Sequence, residues 1–313
     1  MSEKLAFLFP GQGSQFVGMG RDLAEQFSEA KDIFNQLDDV CNKSMSKLCF
    51  EGPMEELTLT VNLQPAITAV NLASLNALRK SGIRPTVSAG HSLGEYSALA
   101  SAESVSDYDA LKLVMKRGEL MHRESLSNPG SMAAILGMNI DDVGTIVAEA
   151  GDSGVLAVAN HNTADQIVIT GEQEPLSKAV EIVKEKGGKA IPLKVSGAWH
   201  CGLMEKAVDD FRQFMESIPF SAPQTTVLFN ATAESETDPE EIKGLMAKQL
   251  ISPVKWYDII QKMVSSGVDT FVEVGPKKVL TGLVKKILPR ETKAKIYNIE
   301  GTQSLEDFLK AMA

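Results

Sequence analysis

The chain has 313 residues, 43% of them hydrophobic and 23% charged, an ordinary globular composition with room for one large domain and a smaller one. Its formal net charge of −10 argues against nucleic acid or an anionic membrane as the main partner. Cys41, Cys49 and Cys201 lack C-x-x-C spacing and read as reduced thiols of a cytoplasmic protein; His91, His122, His161 and His200 make no close pair of metal-ligand spacing, and no apolar run reaches membrane-span length.

Leu5 to Phe9 is a continuous apolar run stopped by Pro10-Gly11, which predicts a buried strand of a parallel sheet. Leu23, Phe27, Ala30, Phe34 and Leu37 fall on one face of a predicted helix. Pro65 is expected to open an apolar helix running through Leu78. Thr86 to Ala89 reads as a strand, Leu93 to Ser101 as a helix, and Asp107 to Arg123 as another helix. The rhythm changes near Asn128-Pro129-Gly130. Strands over Met132–Leu136, Val155–Ala159, Ile167–Thr170 and the alternating Ile191, Leu193 and Val195 frame two helical stretches, giving β-α-β-β-α-β. Met204 to Met215 then resumes helix. Val227–Asn230, Phe271–Val274 and Ile296–Ile299 read as strands, with an apolar helix stripe from Val279 to Ile287. The predicted fold class is α/β: a large domain (1–128 and 196–313) with a mostly parallel, helix-covered, hydrolase-like sheet, interrupted by a small ferredoxin-like α+β domain (129–195).

Gly90-His91-Ser92-Leu93-Gly94 sits between the Thr86 strand and its helix, the setting in which G-x-S-x-G becomes a nucleophile elbow. The turn exposes the serine at the start of a helix, where backbone N–H groups can stabilise an oxyanion. Ser92 and Glu95 also satisfy the spacing of a capping box, which needs no chemistry. A serine nucleophile requires a base. His91 lies on the elbow itself and is expected behind the nucleophile. His200, in the segment that leaves the small domain, is placed at the domain seam, where ligand sites concentrate. Pro10-Gly11-Gln12-Gly13-Ser14-Gln15 lacks a P-loop ending and a third glycine, so it reads either as a tight turn or as a loop lending an amide to the elbow.

Gly11-Gln12-Gly13-Ser14-Gln15, Gln64-Pro65-Ala66, Gly90 to Tyr96, Arg117-Gly118, Ser196 to His200 and Glu273-Val274-Gly275-Pro276 occur in this order. In these motifs the chain resembles the malonyl-CoA:acyl-carrier-protein transacylases, which charge carrier proteins for fatty acid synthesis. The resemblance runs from Leu5 to about Leu288. It implies Ser92 as nucleophile, His200 as base, and the amides of Gln12 and Leu93 as the oxyanion hole. It implies Arg117 as the anchor of the malonyl carboxylate, Gln249 as the residue whose backbone carbonyl orients His200, and Gln64 and Asn162 as pocket lining. Trp199 is expected to narrow the pocket. A coenzyme A thioester is the implied substrate, with no tightly bound cofactor and no metal. One departure is visible: Lys277 follows Gly275-Pro276 where a glycine is common, which puts special backbone geometry there in doubt. With Lys278, Lys285, Lys286 and Arg290 it forms a basic cluster, a candidate docking patch for an acidic acyl carrier protein or simply a solvated helix face. The same residues leave a polyketide acyltransferase, a serine thioesterase and a non-catalytic carrier-binding protein as rivals.

Overall fold

Leu5, Phe7 and Phe9 of strand β1 (Leu5–Phe9) enter one hydrophobic core, while Ala6 and Leu8 enter another. That is why the run is apolar at every position: the strand is covered on both faces. The structure is a computed structural model and describes residues 4–289 and 291–312. The further strands are β2 (Val87–Gly90), β3 (Ser131–Leu136), β4 (Leu156–Thr163), β5 (Gln166–Gly171), β6 (Lys189–Pro192), β7 (Thr226–Val227), β8 (Thr270–Val274) and β9 (Lys295–Ile299). One sheet has the order β7-β2-β1-β8-β9 with parallel neighbours throughout. The helices Ser28–Cys41, Thr60–Lys80 and Asp107–Ser127 cover its first face, and Trp256–Ser265 and Val279–Ile287 the second.

The second sheet, β4-β5-β3-β6, is antiparallel and follows the β-α-β-β-α-β order, with helices Ile140–Ala150 and Gln173–Glu185. Alternation along β3 explains its position. Ala133 and Ile135 pack with those two helices, whereas Met132 and Ala134 join the main core. The end of β4 is pinned to the chain beyond Gln249: Val254 N–H donates to Ala159 O (2.8 Å), and His161 N–H to Val254 O (2.9 Å). One edge of the antiparallel sheet is thereby fixed beside the end of β2.

Some expected elements differ. The helix expected through Leu23 and Leu37 is two helices, Arg21–Gln26 and Ser28–Cys41, separated by extended backbone at Phe27. The apolar spacing continues across the break, so periodicity alone joins them. Pro65 does not open its helix; it lies inside Thr60–Lys80. Burial of Thr60, Leu63 and Gln64 carries the helix upstream, despite the backbone amide that proline removes from its ladder. The strand expected over Val227–Asn230 is the two-residue β7, Thr226–Val227, and β6 ends at Pro192, although the Leu193 N–H still donates to Met132 O of β3 (2.9 Å).

Candidate active site

The elbow forms because its neighbours leave room for nothing but glycine. A Cβ on Gly90 would lie 1.8 Å from the Gly94 carbonyl carbon, and one on Gly94 would lie 2.0 Å from Phe9 O. Gly11 packs in the same way, its missing Cβ 2.5 Å from His91 O, so the Pro10–Gln15 loop lies directly on the turn. Ser92 itself has φ +50°, a left-handed conformation that is strained for a side chain other than glycine and that presents Oγ outward. A residue with no sequence signal holds this strain. Asn230 accepts the Ser92 N–H on Oδ1 (2.7 Å) and donates from Nδ2 to Gly90 O (2.7 Å). The capping box is not formed. Glu95 turns inward to accept the Asn230 N–H (2.5 Å) and the Gln249 side-chain amide, leaving Ser92 Oγ for other partners.

Two residues that the resemblance singles out stand beside that oxygen. His200 Nε2 lies 2.7 Å from Ser92 Oγ, and an Arg117 Nη2–H donates to the same oxygen at 3.1 Å. His200 Nδ1 faces two backbone carbonyls, Gln249 O at 2.9 Å and Ser252 O at 3.0 Å. Carbonyls only accept, so Nδ1 carries the proton and Nε2 presents its lone pair to the serine hydroxyl. This is the tautomer a base requires, fixed without a carboxylate. Ser252 carries no sequence signal for this contact; it lies three residues beyond Gln249, after a single 3₁₀ turn, Gln249–Ile251.

Burial, and next the positive charge of Arg117, pull the His200 imidazole down to about 3, so it is neutral in the resting protein. The sign gives a test. Titrating the histidine ring nitrogens by NMR should show His200 still neutral, with its Nδ1–H intact, as pH falls through about 6.5, where an ordinary histidine protonates. A His200 transition near that value would show that burial and the Arg117 charge do not hold the imidazole down. The depressed value also predicts that this site contributes most stability above about 6.5 and loses it progressively as pH falls toward the folded value.

Arg117 is 1% exposed. It projects from Asp107–Ser127, which can approach Thr60–Lys80 closely because Gly118 packs on the Thr60 and Val61 backbone. Its Nη1 donates to Gln64 Oε1 (3.0 Å) and its Nη2 also to Gln249 Oε1 (2.9 Å). Burial lowers its proton affinity, yet a guanidinium remains charged at physiological pH.

These groups surround a cavity of about 110 Å³ lined by Gln12, Gln64, Ser92, Leu93, Arg117, Trp199 and His200, with His91, Met121, Met132, Asn160, Leu193 and Val195 completing the wall. The space suits a short acyl group attached to Ser92. The backbone N–H groups of Gln12 and Leu93 meet no acceptor among the described residues, as oxyanion donors require. Asn162 does not line the cavity. It bonds His91 Nε2 from the side (2.8 Å), and Asn160, two residues earlier on β4, lines the cavity instead. His91, which also lines the cavity, stacks edge-on to Trp256, and burial pushes its imidazole below the ordinary value. Lys277 keeps the special backbone that its side chain put in doubt: φ is +62°, its N–H donates to Glu300 Oε2 (3.0 Å), and its O accepts from Asn298 Nδ2 (2.6 Å).

Residues 6–312 match the family model described as the acyl transferase domain. The "Malonyl CoA-acyl carrier protein transacylase" of Bacillus subtilis is 44% identical over 286 residues, which is 91% of this chain and 90% of that protein. The crystal structure of an acyl carrier protein S-malonyltransferase from Vibrio cholerae superposes with a TM-score of 0.93 at 38% identity, covering 98% of this chain and 100% of that one. A malonyl-transacylase solved in complex with its type II polyketide acyl carrier protein gives a TM-score of 0.94 at 35% identity, covering 99% of this chain and 100% of that one.

Proposed function

The chain belongs to the acyl transferase family, among its malonyl-CoA:acyl-carrier-protein transacylases, and from that premise we propose that it carries malonyl groups from coenzyme A to the phosphopantetheine thiol of an acyl carrier protein for fatty acid synthesis. The observation that carries this reading is one oxygen with two neighbours. Ser92 Oγ has a neutral imidazole on one side and a buried cation on the other, so the base and the carboxylate anchor of this reading both contact the nucleophile.

His200 Nε2 takes the Ser92 proton as Oγ attacks the thioester carbonyl. The amides of Gln12 and Leu93 hold the oxyanion. The tetrahedral intermediate collapses, the C–S bond breaks, and the His200 proton goes to the leaving coenzyme A sulfur. The carrier thiol then gives its proton to His200 and attacks the malonyl ester, and Ser92 recovers the proton as the ester bond breaks. The cycle is therefore a ping-pong transfer between two thiols. In this reading residues 129–195 act as an inserted domain that closes over the acyl group, because Met132 and Asn160 reach the cavity from β3 and β4. We place the reaction in the cytoplasm; the cysteines are free thiols, with Cys49 and Cys201 buried.

Labelled malonyl-CoA tests the reading. Mixing should give a stable malonyl-protein that a carrier thiol discharges by transfer. Rapid release of free malonate would instead make the protein a thioesterase, and no labelling at all would make it a non-catalytic carrier binder.

We further propose the carrier's landing site at Lys277, Lys278, Lys285 and Lys286, all exposed around the start and end of helix Val279–Ile287. Arg290, the fifth member, lies outside the described residues. The Lys277 ammonium donates to Gly13 O (3.3 Å), next to the cavity-lining Gln12, which supports an approach of the carrier from this side. Reversing Lys285 and Lys286 to glutamate should lower kcat/KM for the carrier about tenfold and steepen no step before it. If labelling by malonyl-CoA falls in parallel, the cluster is not a carrier dock.

A further inference from the structure

Arg117 is a buried cation that touches no carboxylate. Its partners are Gln64 Oε1, Ser92 Oγ and Gln249 Oε1, and its buried Nε–H has no hydrogen-bond partner among the described residues. A buried charge without compensation is strongly unfavourable. A direct ion pair, however, would occupy the donors that a substrate carboxylate needs.

Part of the compensation is the Tyr96 ring, whose centroid lies 5.8 Å from the guanidinium carbon, and part comes from one residue further out. Glu95 is 1% exposed; burial pushes its carboxyl up to about 7, while the Asn230 N–H, the Gln249 amide and the Arg117 charge favour the anion, whose charge acts on Arg117 through space. Between the two stands the side chain of Gln249. Its Oε1 accepts from Arg117 (2.9 Å), and its Nε2 donates both to Glu95 Oε2 and to Ser92 O (2.8 Å). Both Glu95 oxygens accept, Oε1 from the Asn230 N–H and Oε2 from Gln249 Nε2, and a carboxylate accepts only, so the anion of Glu95 dictates which end of the Gln249 amide faces Arg117. Were the amide reversed, its NH₂ would confront the guanidinium.

We infer that Glu95 is a positioning residue for acyl selection: it orients the Gln249 amide and balances Arg117 at one amide's remove, leaving the guanidinium charged, fixed and open to the carboxylate of the incoming acyl group. The inference rests on the malonyl-transfer reading and deepens it, because it assigns part of the selectivity to a residue that touches neither substrate nor Ser92 Oγ. Glu95 also accepts the Asn230 N–H, so a merely structural role would pass through the elbow and affect every acyl donor alike.

Glu95→Gln removes the charge and introduces a donor that competes with Gln249 Nε2. Measured above pH 7, where Glu95 is the anion, the expected result is a fall of about tenfold in kcat/KM for malonyl-CoA, with kcat/KM for acetyl-CoA, which lacks the free carboxylate, changed by less than about threefold. In an Arg117→Ala background the same substitution should cost malonyl transfer no more than about twofold, since the group it serves is gone. Equal losses for both thioesters, or a full additional loss in that background, would overturn the assignment. Glu95→Asp keeps the anion and guards against a variant that does not fold; it should hold the malonyl-to-acetyl ratio within about threefold of the parent, and a collapsed ratio would count against the proposal. A parent chain that never labels with malonyl-CoA overturns the transfer reading itself, whereas a labelling chain whose ratio is unmoved in Glu95→Gln overturns only the role of Glu95.

Discussion

Ser92→Ala should abolish covalent labelling by malonyl-CoA and cut transfer to carrier thiol by about 10⁴-fold or more, the scale on which losing a nucleophile is felt. The substitution leaves the rest of the site standing. His200 keeps Gln249 O and Ser252 O, and Arg117 keeps Gln64 and Gln249. Malonyl-CoA binding should therefore survive near its parent affinity, which separates lost chemistry from lost binding. The backbone supplies a second readout. Position 92 has φ +50°, so Ser92→Gly should relieve strain that Ser92→Ala retains, and the glycine variant should be the more stable of the two by about 1 kcal/mol. Residual labelling in both inactive variants, or labelling that maps to another residue, would remove Ser92 from the mechanism.

The parts of this architecture that were legible in the sequence are those set by neighbours in the chain. The apolar run Leu5–Phe9 announces a strand buried on both faces, and two cores do take its alternate side chains. Gly90 and Gly94 announce a sharp turn because the collision of a Cβ with local backbone needs no distant information. The β-α-β-β-α-β order predicts the antiparallel sheet, since alternating periodicity survives in each short strand. What was not legible is set by segments that meet only in the fold. Asn230 lies 138 residues from the Ser92 amide it holds, in a stretch that read as plain strand. Ser252 contributes only a backbone carbonyl, which no side chain advertises. Glu95 was visible but ambiguous: its spacing from Ser92 fits a cap, and the long-range partners Asn230 and Gln249 decide otherwise. Alternation puts Asn160 and Asn162 on the same strand face, and the register irregularity between His161 and Thr163 that distinguishes them arises only from pairing with β5.

Arg117→Ala is expected to lower kcat/KM for malonyl-CoA by about 100-fold or more, near 3 kcal/mol, while relative activity on acetyl-CoA rises. The asymmetry follows from what the cavity holds. In the parent, a neutral acetyl group would lie against a buried guanidinium and offer it no acceptor, whereas a malonyl carboxylate can take two parallel N–H donors. Removing the side chain removes the reward for the carboxylate and the discrimination against the methyl group together. It also opens space beside a cavity of only about 110 Å³, so longer neutral acyl groups should gain as well. Arg117→Lys separates charge from geometry. A lysine restores a cation but cannot reach Gln64, Gln249 and a carboxylate with one planar fork, so malonyl transfer should recover only partly. Loss of the arginine further removes a positive charge that, after burial, holds the His200 imidazole low. His200 should therefore titrate at a higher pH in Arg117→Ala than in the parent, in the same NMR experiment that reads its tautomer. A variant in which the malonyl-to-acetyl ratio is unchanged would show that selection lies elsewhere in the cavity, and an unshifted His200 would show that the guanidinium does not act on the base.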